Sequence, residues 1–89
     1  SRKIVKGVFG LRLVVDGAWS DREVHYLVTH KIRELAIGEG VNNDCITDLE
    51  FLADIDFLEG LSVTNFRIKD LRPINQLKNL RMLFLNWGV

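Results

Sequence analysis

The side chains able to do chemistry in this chain are few, and their spacing suits none of the common reactions. His25 and His30 lie five residues apart in a stretch that scans as a helix, so they point to different faces and read as surface histidines. Cys45 sits beside Asp44 and near Asp48, with no histidine close in sequence to activate it. It directly precedes the apolar Ile46 and reads as a buried or half-buried structural thiol. The acidic residues Asp44, Asp48, Glu50, Asp54 and Asp56 lack the spacing of a calcium loop and read as a solvated face. There is no glycine-rich phosphate loop, no Cys-x-x-Cys pair and no His-Glu-x-x-His. The expectation is a non-enzyme with no catalytic residues, no cofactor and no metal site.

Bulk composition narrows the partners. Twelve basic residues balance twelve acidic ones, so no broad attraction to nucleic acid or to an anionic membrane is implied. No run approaches the roughly 18 apolar residues that span a bilayer. Hydrophobic residues make up 47% of the chain, ample for one packed core, and its 89 residues set a ceiling of one domain. One cysteine cannot form an internal disulfide, which leans towards a reducing compartment, and a cytoplasmic location is expected.

What must position any working residue is a repeat. Ile46-Thr47-Asp48-Leu49 returns 22 residues later as Ile68-Lys69-Asp70-Leu71. The register then holds for Leu52 and Ile74, Ile55 and Leu77, Leu58 and Leu80, Leu61 and Leu83, and Val63 and Leu85. In Leu61-Ser62-Val63 apolar side chains alternate, which predicts a short strand with one face buried. Ile46, Leu49, Leu52, Ile55 and Leu58 recur every third residue, which predicts a short helix or 3₁₀ turn laid back against that strand. Such a unit cannot bury its own apolar edge; stacked copies close it.

These residues resemble a leucine-rich repeat. The pattern L-x-x-L-x-L appears as Leu58-Glu59-Gly60-Leu61-Ser62-Val63 and again as Leu80-Arg81-Met82-Leu83-Phe84-Leu85. Ile68 to Ile74 followed by Leu77 to Leu80 is similar to the convex side of the 22-residue bacterial, internalin-like subtype. Ile32-Arg33-Glu34-Leu35-Ala36-Ile37 and Val8-Phe9-Gly10-Leu11-Arg12-Leu13 fit further upstream. The resemblance implies an α/β leucine-rich-repeat solenoid of about four short parallel strands with helical or 3₁₀ return segments. Residues 1–31 form an N-terminal cap or degenerate first repeat, and repeats run over 32–57, 58–79 and, partially, 80–89. The family's usual turn asparagine is replaced here by Asp16, Gly40, Phe66 and Gly88, with Phe66 suggesting an apolar spine.

Local signals add detail. Ser20-Asp21-Arg22-Glu23 fits a capping box ahead of a helix over roughly residues 21–30, with Val24, Leu27 and Val28 on its apolar face. Asp70 is a candidate cap for the turn that Pro73 starts, and Asp48 is its counterpart without the proline. Equivalent charges reverse sign between repeats: Glu50 against Arg72, Asp56 against Lys78, Glu59 against Arg81. This arrangement predicts ion pairs across the stack.

The expected binding face is the inner side of the sheet. By pattern it carries Gly10, Arg12 and Val14; Glu34, Ala36 and Gly38; Gly60, Ser62 and Thr64; and Met82, Phe84 and Asn86. Arg12, Ser62, Thr64, Met82, Phe84, Asn86 and Trp87 are the candidate partner-binding residues, since exposed aromatic and Met side chains are enriched at interface cores. Edge burial, under a following repeat or a dimer mate, is the competing role for Met82, Phe84 and Trp87. The resemblance implies a protein-interaction module, in one version a small inhibitor or immunity-type protein. The alternative is a regulatory or targeting repeat domain of a larger enzyme. A nucleic-acid-binding inner face would need many cations, and only Arg12 qualifies. The strand Leu83–Leu85 has no return segment after it, so either a longer repeat array or a homodimer through this edge strand is also expected.

Overall fold

The computed structural model describes residues 2–38, 45–64 and 67–86. Five short strands form one open sheet in the order β1 (Arg2–Lys6), β2 (Leu11–Val15), β3 (Glu34–Ile37), β4 (Gly60–Val63) and β5 (Met82–Leu85). Strands β2 to β5 run parallel and in register, with Leu13, Leu35, Leu61 and Leu83 side by side. Helix α1 (Asp21–His30) connects β2 to β3, and 3₁₀ helices at Glu50–Asp54 and Arg72–Gln76 lie between the later strands.

The sequence expectation of about four parallel strands needs one correction. The sheet is mixed and has a fifth strand, because Arg2–Lys6 turns back on β2 as an antiparallel hairpin. The turn closes with the Gly7 N–H donating to the Gly10 carbonyl at 2.6 Å, and Gly10 takes φ +127, a conformation that suits glycine. With three cations in five residues, β1 carries too little apolar alternation to stand out as a strand. It is an edge strand, and edge lysines are one way a sheet discourages further pairing.

The core lies on one face of the sheet. Leu13 and Val15, Leu35 and Ile37, and Leu61 and Val63 pack against Leu27 of α1 and against the three-residue series Ile46, Leu49, Leu52, Ile55 and Leu58. Ile68 and Leu77 continue this layer under the second 3₁₀ helix. Trp19 stacks on Phe51 with ring centroids 4.1 Å apart, tying the segment before α1 to the first 3₁₀ helix.

The helix ends as its sequence dictates. Ser20 accepts from the Arg22 N–H, and the Glu23 carboxylate accepts from the Ser20 N–H at 2.9 Å, forming a capping box. Arg2 of β1 reaches the same Glu23 at 3.2 Å and lies over the Tyr26 ring at 5.0 Å, so the cap also anchors the hairpin. Ser20→Ala should therefore cost about 1 kcal/mol in a urea unfolding experiment. A loss below a few tenths would show that Glu23 holds the helix start without the serine. The apolar face of α1 is narrower than its spacing predicts: Leu27 is buried, Val24 is half-buried, and Val28 stays 56% exposed.

The repeat's aspartates act alike. Asp48 accepts from the Glu50 N–H and Asp70 from the Arg72 N–H, each at 3.0 Å and each two residues before the respective 3₁₀ helix begins. Arg72 also clamps Asp70 with two side-chain bonds at 2.9 Å. These side-chain bonds, then the backbone bond, lower the Asp70 pKa from its ordinary 3.8 to about 2. A lowered carboxylate pKa stabilises the fold above the unfolded-state value, and that contribution fades as pH falls from about 4 towards 2. Asp70→Asn should lower stability in the neutral region, where the contribution is fully present, and flatten the acid limb between about pH 4 and 2, so that variant and wild type converge at low pH. An unaltered acid limb would contradict the assignment.

Of the charge pairs expected between repeats, one forms. Arg81 meets Glu59 at 3.3 Å, and Arg33 meets the other oxygen of Glu59 at 3.0 Å. Arg72 bonds Asp70, two residues away, and forms no ion pair with Glu50, although Glu50 lies near enough to act on its charge. Among the described residues, Asp56 and Lys78 form no ion pair.

Candidate functional site

The face of the sheet opposite the core carries two cross-strand rows. Arg12, Glu34, Gly60 and Met82 are register partners in the first, and Val14, Ala36, Ser62 and Phe84 in the second. Thr64 and Asn86 extend the face just past the ends of β4 and β5, their N–H groups donating to Ile37 and Val63 carbonyls at 3.0 and 2.9 Å. Arg12, Ser62, Thr64, Met82, Phe84 and Asn86 together line one open depression of about 460 Å³. The seventh candidate, Trp87, lies outside the described residues, as do Phe66 and most of the 38–44 loop.

The depression is amphipathic. Phe84 is 54% exposed, and Met82 and Ser62 are half-buried. Phe84 and Met82 offer apolar contact, while Ser62, Thr64 and Asn86 offer hydroxyl and amide groups that both donate and accept. Among the described residues, no group of three or more His, Cys, Asp or Glu is placed to hold a metal ion. Both histidines are exposed on α1, with His25 bonded to Thr29 at 3.3 Å and His30 against the Tyr26 ring. Cys45 differs from its expected buried setting: it is exposed, because Ile46 takes the inward position and its neighbour faces out.

The residue that sequence reasoning undervalued is Glu34. It stands on this same face, yet it is 1% exposed. The β1–β2 turn folds over it, and its carboxylate accepts from the N–H groups of Val8 and Phe9. Arg12, one strand away in register, donates to it from Nε at 3.2 Å and from a terminal nitrogen at 3.1 Å. Four donors thus satisfy a carboxylate whose burial would otherwise be costly. Two glycines make room: a Cβ on Gly7 would collide with the carboxylate, and one on Gly60 would sit 3.0 Å from the Glu34 Cγ. Beyond Glu34 the turn reaches further, with the Phe9 ring 4.4 Å from the Arg81 guanidinium. The one signal available in the sequence was Glu34 at the strand position equivalent to Arg12.

The turn therefore covers one end of the open face, and the depression lies beside it on the β4 and β5 side. The fold class is α/β, with an open five-stranded sheet and one α-helix among the described residues. No helix among them is long and apolar enough to cross a membrane. Comparison with protein-family models, with curated proteins and with solved structures found no match for this chain.

Proposed function

We propose that the chain is a leucine-rich-repeat-like module that recognises a protein partner through the open sheet face and the adjoining β5 edge. The reading rests first on one observation: six side chains, from β2, β4 and β5 and from the residues just past β4 and β5, line a single amphipathic depression. The 22-residue echo, the parallel register of β2 to β5 and the 3₁₀ return segments support the repeat assignment. An exposed Phe flanked by Met and by short polar groups has the make-up of an interface centre with a hydrogen-bonding rim. The partner is a folded protein or peptide in the cytoplasm, and no cofactor is required.

The test is selection of binders from a displayed library of the host's own protein segments, followed by affinity measurement. Phe84→Glu and Ser62→Arg should each weaken binding by at least about 30-fold, the loss typical of an interface anchor. Circular dichroism should show both variants folded, since neither side chain belongs to the buried core. Binders that tolerate both substitutions would place recognition elsewhere and defeat the proposal.

A further inference from the structure

We infer that the free edge of β5 accepts an added strand from an acidic segment of a different protein. The inference rests on the recognition reading above and names the chemistry of what is recognised. Among the described residues, β5 pairs with β4 on one side and with no strand on the other. Bonds from the Met82 N–H to the Glu59 carbonyl at 3.1 Å and from the Asn86 N–H to the Val63 carbonyl at 2.9 Å turn the even-numbered backbone groups inward. Alternation directs the N–H and C=O of Leu83 and Leu85 outward, as a template for one more strand. Leu83 and Leu85 are 44% and 40% exposed, although their equivalents Leu61 and Val63 are wholly buried.

Charge selects the occupant. Residues 45–64 carry five acidic side chains and no basic one, whereas residues 67–86 carry Arg67, Lys69, Arg72, Lys78 and Arg81 against Asp70 alone. At the strand starts the signs alternate along the sheet, Arg33 to Glu59 to Arg81, through contacts of 3.0 and 3.3 Å. The next position in that row lies on the added strand, and a carboxylate there continues the alternation. A second copy of this chain fits poorly. Its own β5 brings the same basic unit, and its other edge, β1, carries Arg2, Lys3 and Lys6. Either pairing opposes like charges, which sheets use to block edge-to-edge association.

The experiment titrates the intact chain, at low ionic strength, into two labelled strand peptides of alternating valine and threonine. One is flanked by glutamates and the other by lysines, and binding is read by fluorescence anisotropy. The acidic peptide should bind at least about 10-fold more tightly, a preference that shrinks as salt is added. Arg81→Glu should reverse the order. Leu85→Pro should abolish binding of both peptides with the circular dichroism spectrum retained, because it removes an outward N–H that makes no bond to β4. Equal binding of the lysine peptide, binding indifferent to Leu85→Pro, or sedimentation showing self-association that Leu85→Pro abolishes would each overturn the inference. Failure of the acidic peptide overturns it too. The recognition reading survives that failure if a selected partner still depends on Ser62, and falls with it if none does.

Discussion

Glu34→Ala should destabilise the protein by about 3 kcal/mol in equilibrium urea unfolding, more than any other single change on the open sheet face. The carboxylate is 1% exposed and holds the Val8 and Phe9 N–H groups together with the Arg12 guanidinium. Removing it leaves two backbone donors and a partly buried cation without their acceptor. The damage should be local as well as global: amide exchange at Val8 and Phe9 should accelerate far more than in β4. Glu34→Gln should fall between wild type and alanine, since one amide oxygen can still accept while the NH₂ group faces donors. A loss under about 1 kcal/mol for the alanine variant, with protection at Val8 and Phe9 unchanged, would mean that the hairpin holds its place through β1–β2 pairing alone. Loosening the turn should also change how the depression beside it binds, which couples this prediction to the proposed function.

Leu61→Ala and Leu83→Ala form the second test, because the two leucines are equivalent in the repeat and register partners in the sheet. Leu61 is wholly buried in the central layer, so its truncation opens a cavity and should cost about 3 kcal/mol. Leu83 is 44% exposed on the edge strand, where solvent already reaches it, and the same truncation should cost less than about 1 kcal/mol. Urea midpoints at constant m-value would measure both. Similar losses at the two sites would show that β5 is covered in solution. Adding an edge-binding acidic strand should then raise the cost at Leu83 towards that at Leu61, since the added strand would bury it.

The contrast between these leucines marks the boundary between what could be read from residue order and what could not. Apolar alternation at Leu61 and Val63, three-residue spacing from Ile46 to Leu58, and the echo at Ile68 predict strand, 3₁₀ return and stacking. The first two appear as β4 and the Glu50–Asp54 3₁₀ helix, and the echoed strands β4 and β5 lie parallel and in register within a mixed sheet. Ser20 and Glu23 announce their capping box because both partners lie within one helical turn. Short-range physics is legible in this way: each signal depends on neighbours a few residues off.

The candidate site was legible as a list of positions, since strand alternation alone assigns Arg12, Ser62, Thr64, Met82, Phe84 and Asn86 to one face. That they line a single depression is a property of the sheet register. Strand β1 escaped notice because Arg2, Lys3 and Lys6 mask its alternation, and only the partner β2 makes it a strand. The burial of Glu34 escaped notice for a related reason. A glutamate reads as solvated until a turn from 25 residues upstream folds across it and supplies its donors. Cys45 misled in the opposite direction, since proximity to a core isoleucine does not say which way the chain faces before its turn.

By itself the sequence determined the alternation of strand and helical segments, the 22-residue echo and the side of β2, β3 and β4 that meets the core. These follow from local propensity and from the removal of apolar side chains from water, both encoded in residue order. The tertiary structure alone decided that the N-terminal hairpin crosses the open face, that Glu34 is its buried anchor, and that Leu83 and Leu85 remain exposed at the edge. Those outcomes depend on which distant segments come to lie side by side, and on where, along the described residues, the pairing of strands ends.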